Sequence, residues 1–124
     1  MSRVAGRGIL IVERGTSLRG LLMTLLQNYA LAIETATSDT RAIELLQLFP
    51  YDLIVLDLSL PATRRVIDFV RDHAIPTPVI ALTPDDCLPE DAEVTGASIL
   101  EKPFDVEVFR ALVEHQLSDS EAAN

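Results

Sequence analysis

The sequence has a single cysteine, no tryptophan and only one lysine among its 124 residues. The cysteine, Cys87, cannot form an internal disulfide, which is typical of a protein from a reducing compartment. No apolar segment approaches the roughly 20 residues that a membrane-spanning helix needs, and residues 1–8 lack the apolar core of a secretory signal. We therefore expect a cytoplasmic protein without a membrane partner.

Positive charge is also scarce. Ten basic residues stand against 19 acidic ones, which gives a net charge of −9, and no basic cluster is longer than Arg64-Arg65. Proteins bind nucleic acid largely by neutralising its phosphates with lysine and arginine, so this composition argues against a nucleic-acid partner. The only lysine is Lys102, and the other nine basic residues are arginines.

Five short apolar runs alternate with helical patterns, which is typical of an α/β domain built around a parallel sheet. The runs occupy residues 8–12, 31–36, 52–57, 78–82 and 97–100. Thr16 or Ser17 is predicted to cap the first helix, Ser38 the second and Thr83 the fourth. The apolar face predicted for the second helix includes Phe49. We expect one domain over residues 8–117, with flexible ends at 1–7 and 118–124.

Polar side chains follow four of the five runs. Glu13 follows the first, Asp57 the third, Thr83 the fourth and Lys102 the fifth. Because the carboxyl ends of parallel strands lie along one edge of the sheet, these side chains should converge. Asp57 could act there as a nucleophile, a metal ligand or a polar cap on the strand. Thr83 is also explained as a helix cap, and Lys102 as a solvated loop residue.

This arrangement resembles the receiver domains of two-component response regulators over nearly the whole chain. The resemblance rests on Ile9-Leu10-Ile11-Val12 with a following acid, on Asp57 with Pro61 four residues later, on Thr83, and on Lys102-Pro103-Phe104. It implies a flavodoxin-like, doubly wound sheet of five parallel strands in the order 2-1-3-4-5, flanked by five helices. It also implies a signalling domain rather than an enzyme.

The resemblance further implies a role for each site residue. Asp57 matches the family's phosphoacceptor, Thr83 the hydroxyl that turns toward the phosphoryl group, and Lys102 the amine that contacts its oxygens. Glu13, Asp57 and the backbone of Ser59 would hold Mg²⁺. These roles are chemically coherent, because a carboxylate accepts a phosphoryl group only if the charge on the arriving oxygens is neutralised.

The chain departs from the family pattern directly after the first strand. Receivers usually carry two adjacent acids there, and Arg14 stands where the second acid, a metal ligand, is expected. Glu13 and Asp57 then balance Arg14 and Lys102, so the site is neutral without a metal. Since Mg²⁺ needs well-placed oxygen ligands, we expect its binding to be weak or absent. We also expect Arg14 to pair with Asp57 or Glu13 and to impair Mg²⁺-dependent phosphorylation.

Three functions are compatible with these features. The first is a single-domain receiver in a phosphorelay, which accepts phosphate on Asp57 from a histidine kinase or phosphotransfer protein and binds a downstream protein. The second is a pseudo-receiver, an interaction module that works without phosphorylation. The third, an aspartyl-nucleophile phosphatase, is disfavoured, because that class requires an acid two residues after the nucleophile and this chain has Ser59 there. The fourth helix, fifth strand and fifth helix form the predicted surface for protein contacts, including those of a homodimer.

Overall fold

Five strands form the parallel sheet that the alternating apolar runs predicted. The computed structural model describes residues 8–29, 32–58, 63–83 and 97–122. The strands are β1 (Gly8–Val12), β2 (Ala32–Ala36), β3 (Leu53–Asp57), β4 (Val79–Thr83) and β5 (Ser98–Glu101). All neighbouring strands pair in parallel, in the order β2-β1-β3-β4-β5. The predicted flavodoxin-like strand order is therefore confirmed.

Four helices lie within the described parts of the chain. They are α1 (Thr16–Leu26), α2 (Asp39–Leu48), α3 (Thr63–Asp72) and α4 (Val106–Ala122). A further helix was predicted between β4 and β5, and its segment, residues 84–96, lies outside the described residues. None of the described helices combines the length and the apolar composition needed to cross a membrane.

The two central strands are buried along their entire length, because helices cover both faces of the sheet. Successive residues of a strand point to opposite faces. Ile9 and Ile11 accordingly join a core with α1 and α4, and Leu10 and Val12 join a second core with α2 and α3. Phe109 of α4 is completely buried. Each fully buried side chain of this kind contributes about 1.5–3 kcal/mol to folding.

The helix caps agree with the sequence at α2 and differ from it at α1. Ser38 Oγ accepts a hydrogen bond from the Arg41 N–H at 3.1 Å, as predicted. The prediction of Thr16 or Ser17 as the cap of α1 was wrong, because Gly15 occupies that position and provides no side-chain bond. Its N–H instead donates to Glu13 Oε2 at 2.8 Å, so the start of α1 is tied to the site.

The ends of two helices also differ from the sequence prediction. Phe49 was predicted on the buried face of α2, yet 51% of its surface is exposed. It follows the last helical residue in an extended conformation, so the helical spacing no longer directs its side chain inward, and Leu45 fills the core instead. Helix α4 continues past the predicted domain end at Leu117 to Ala122, since no glycine or proline interrupts it.

Candidate functional site

The Asp57 carboxylate lies at the centre of the site. Asp57 is the last residue of β3, and only 7% of its side chain is exposed. Lys102, directly after β5, donates from Nζ to Asp57 Oδ2 at 2.9 Å. The lysine therefore reaches across the end of β4, which separates the two strands. Transfer of a carboxylate out of water costs several kcal/mol, so a buried aspartate requires a partner of this kind.

Thr83 stands beside this pair at the end of β4. The residue is 2% exposed, and its carbonyl oxygen accepts a hydrogen bond from the Lys102 N–H at 2.7 Å. This backbone contact fixes the point from which the Lys102 side chain reaches toward Asp57. The predicted role of the Thr83 hydroxyl remains a prediction. Ser59, whose backbone was predicted as a metal ligand, lies outside the described residues.

Glu13 is a second buried acid in the site, with 6% of its surface exposed. Its Oε2 accepts the Gly15 N–H, whereas Oε1 is buried and accepts no hydrogen bond. Burial raises the pKa of Glu13, although the Gly15 hydrogen bond acts in the opposite direction. The nearby Asp57 carboxyl raises this pKa further, and the positive charge of Lys102 lowers it. The net effect is that the folded protein favours the protonated form of Glu13 more than the unfolded chain does.

Replacement of Glu13 by glutamine is therefore expected to stabilise the protein at neutral pH. The folded-state pKa of this acid is raised, so its charged form opposes folding at high pH. The opposition fades as the pH falls through the folded-state pKa. We expect Glu13→Gln to raise the melting temperature at pH 8, and to raise it by less at pH 5. The same substitution at the exposed Glu101 is the control. A fall in the melting temperature of Glu13→Gln at pH 8 would contradict the raised pKa of Glu13.

Arg14 lies on the surface rather than in an ion pair. It is exposed and forms no ion pair with any described residue, so the predicted pairing with Asp57 or Glu13 was wrong. Glu13 is buried, whereas the adjacent Arg14 stays exposed where the two residues line the same cleft. Arg19 NH1 donates to the carbonyl oxygens of Glu13 and Arg14 at 3.3 and 3.2 Å. These contacts hold the segment that carries both side chains.

A cleft of about 350 Å³ lies beside Asp57 at the carboxyl edge of the sheet. Its polar lining includes Glu13, Arg14, Ser38, Asp39, Asp57 and Thr63. Asp39 and Thr63 begin α2 and α3, so two helix N-termini border the cleft. Partial positive charge at these termini favours anions.

Asp39 also lines this cleft, although the sequence did not indicate a place for it in the site. Its Oδ2 forms an ion pair with Arg65 NH1 at 2.7 Å, although the two groups are not aligned as a hydrogen bond. The position of Asp39 at the start of a helix, after the second strand, was the available signal. The contact with Arg65 depends on how α2 packs against α3, which the sequence does not reveal.

Comparisons with known proteins agree with this geometry. The model of the family described as the response regulator receiver domain matches residues 9–114. The chain belongs to this family.

Solved structures of receiver domains resemble this one closely. The signal receiver domain of a protein named as a Luxo repressor, from Vibrio parahaemolyticus, is 27% identical with a TM-score of 0.85, and 95% of each chain is covered. A response regulator receiver protein from Burkholderia phymatum is 26% identical with a TM-score of 0.75, covering 90% of this chain and 95% of that one.

A third similar structure comes from Saccharomyces cerevisiae. It is a receiver domain crystallised with a histidine phosphotransfer signaling protein, 21% identical with a TM-score of 0.68, covering 84% of this chain and 83% of that one. At this identity the likeness concerns the fold.

The receiver-domain resemblance implied Mg²⁺ at the site, and the residues present do not fit a tight Mg²⁺ site. The buried, unpaired Glu13 Oε1 is an oxygen that a cation could use, and Asp57 is the second acid in the cleft. However, Lys102 already binds one Asp57 oxygen, and Arg14 adds positive charge to the cleft wall. No group of three or more His, Cys, Asp or Glu side chains in the described parts of the chain could hold a metal ion.

Mg²⁺ at millimolar concentration is therefore expected to change the melting temperature of this receiver domain by less than about 1 °C. A ligand at one hundred times its dissociation constant would stabilise the fold by about 2.7 kcal/mol, which is easily measured. Sodium chloride at equal ionic strength is the control. We expect Arg14→Asp to create a clear response to Mg²⁺, because it replaces a repelling charge with an oxygen ligand. A clear Mg²⁺-specific rise in the unaltered protein would contradict this prediction.

Proposed function

We propose that this receiver domain accepts a phosphoryl group on Asp57 from a phosphohistidine and transmits the signal by binding another protein. The observation that carries the proposal is the contact between Lys102 Nζ and the buried Asp57 carboxylate, 2.9 Å long, next to an open cleft. A carboxylate can accept a phosphoryl group only if a nearby cation neutralises the negative charge of the phosphoryl oxygens. Lys102 supplies a compact charge at that point.

The location of Asp57 suits an in-line displacement. The carboxylate is held by the end of a rigid central strand, and the cleft in front of it has room for a phosphoryl group and part of its donor. Phosphoryl transfer depends mainly on positioning and on electrostatic stabilisation of the transferred oxygens. Thr83 and Lys102 enter the same edge from neighbouring strands, so the groups needed for these two effects are near the acceptor.

We infer that a histidine kinase or histidine phosphotransfer protein is the donor. The similar yeast receiver domain was crystallised with a histidine phosphotransfer signaling protein, which supports a partner of this class.

For the outgoing signal we propose the surface formed by β5 and α4, the helix that the sequence counted as the fifth. Gln116 Nε2 donates to Ser98 Oγ at 2.8 Å and joins the two elements. Arg110 and Glu107 are polar groups of α4 through which a partner or a second copy could be bound.

Intact-mass measurement after incubation with phosphoramidate, a small phosphodonor, tests the proposal. We expect the mass to increase by one phosphoryl group per chain, and the increase to reverse at alkaline pH as an acyl phosphate hydrolyses. The alternative, an interaction module that works without phosphorylation, predicts no uptake under any condition. Absence of uptake both with Mg²⁺ and with EDTA would therefore overturn the proposal in favour of that alternative.

A further inference from the structure

Two of the three acids that line the cleft form ion pairs, whereas the arginine on its wall forms none with a described residue. Asp57 is paired with Lys102, and Asp39 with Arg65. Arg14 is the basic residue on the cleft wall, and it forms no ion pair with a described residue. An exposed arginine is flexible, so its guanidinium can turn from solvent toward a group that enters the cleft.

A phosphoryl group on Asp57 would bring new negative charge to a place that already holds two buried acids. Glu13 Oε1 is buried without a hydrogen-bond partner, and the two neighbouring acids together disfavour a further anion. Lys102 is one cation and is directed at Asp57 Oδ2. A second cation is required for the remaining phosphoryl oxygens, and Arg14 is positioned on the same cleft wall.

The guanidinium group suits this task chemically. It presents its N–H donors in a planar fork that can bind two oxygens of one phosphoryl group, whereas an ammonium acts as a point charge. The N-termini of α2 and α3, which border the cleft, favour the same anion.

We propose that Arg14 binds the oxygens of the phosphoryl group that Asp57 receives, and that uptake therefore does not require a divalent cation. This inference rests on the proposed function of Asp57. In the step itself, an Asp57 oxygen forms a bond to phosphorus while the phosphorus–nitrogen bond of the donor breaks. The bonding electron pair stays with the imidazole nitrogen, and the other ring nitrogen keeps its proton, so a neutral imidazole leaves. Arg14 and Lys102 neutralise the oxygens throughout and exchange no proton.

The rate of uptake from phosphoramidate, measured by intact mass in EDTA and in Mg²⁺, tests this role. We expect the unaltered protein to react in EDTA at a rate within about twofold of its rate in Mg²⁺. Arg14→Ala should react at least about tenfold more slowly in EDTA, and Arg14→Lys should lie between the two. Arg71→Ala is the matched control, because Arg71 is a partly exposed arginine paired with Asp68 and Asp72 outside the cleft.

The outcomes separate this inference from the function on which it rests. Uptake by the unaltered protein only in Mg²⁺, or an unchanged EDTA rate in Arg14→Ala, would overturn the role of Arg14 and leave Asp57 as the acceptor. Absence of uptake by the unaltered protein in both buffers would overturn both. Because Arg14 is exposed, its replacement should leave the melting temperature unchanged. An equal loss of rate in Arg71→Ala would also overturn the specific role of Arg14.

Discussion

Asp57→Asn is expected to abolish phosphoryl uptake from phosphoramidate, while the protein remains folded. The amide has nearly the same shape as the carboxylate, and its oxygen can still accept the hydrogen bond that Lys102 donates at 2.9 Å. The amide is a poor nucleophile toward phosphorus, because it lacks the negative charge of the carboxylate and its nitrogen lone pair is delocalised into the carbonyl group. The substitution also removes the negative charge next to the buried Glu13. We therefore expect no loss of melting temperature.

A matched carboxylate on the surface provides the control for this experiment. Asp68 lies on α3, with 44% of its side chain exposed and Arg71 as its partner. Asp68→Asn removes the same charge from the protein without altering the cleft, and its uptake should equal that of the unaltered chain. Equal uptake by Asp57→Asn and the unaltered protein would show that the phosphoryl group is accepted elsewhere.

Lys102→Met is expected to slow phosphoryl uptake by about tenfold to one hundredfold. Hydrogen bonds to charged groups contribute about 1.5–3 kcal/mol, and tenfold in rate corresponds to about 1.4 kcal/mol. Methionine keeps an unbranched side chain of nearly the same length but removes the charge that faces Asp57 Oδ2. The loss should be larger than that of Arg14→Ala, because Lys102 already contacts the acceptor before the donor arrives.

The effect of Lys102→Met on stability provides a second measurement. Without the lysine, two buried acids, Glu13 and Asp57, remain beside each other, so the melting temperature should fall at pH 8 and recover toward pH 5. Lys102→Arg keeps the charge and should preserve most of the stability. If Lys102→Met retains the full rate of uptake, the contact seen here contributes nothing to phosphoryl transfer.

The sequence predicted most of the fold because its signals are local. Strands buried on both faces require continuous apolar runs, and those of β1 and β3 are unmistakable in the sequence. The convergence of polar groups at the strand ends also follows from parallel pairing alone. The sequence alone therefore places Asp57 and Lys102 at one edge of the sheet, although they are 45 positions apart along the chain.

The details that the sequence did not predict depend on side-chain direction and on packing between helices. Whether Arg14 turns toward Asp57 or toward solvent depends on which of two adjacent residues points inward, and composition does not decide this. The ion pair of Asp39 with Arg65 requires the packing of α2 against α3. Phe49 was assigned to the core from its spacing in α2, but the helix ends one residue earlier.

Two basic side chains therefore lie at the cleft beside Asp57. Lys102 contacts the Asp57 carboxylate, and Arg14 lies on the cleft wall. Lys102 fixes one carboxylate oxygen, and Arg14 remains available for the incoming group. Under the proposed function, positive charge placed in this way would neutralise the oxygens of an arriving phosphoryl group and would disfavour a divalent cation. The same two side chains therefore account for both the proposed acceptor and the weak metal binding that we expect.

The most direct test of this account is to map the modified residue after incubation with phosphoramidate in EDTA. Tandem mass spectrometry of the peptide that contains β3 would locate the phosphoryl group. We predict that it lies on Asp57, with the same occupancy in EDTA as in Mg²⁺. A phosphoryl group on any other residue, or one that appears on Asp57 only when Mg²⁺ is present, would contradict the account.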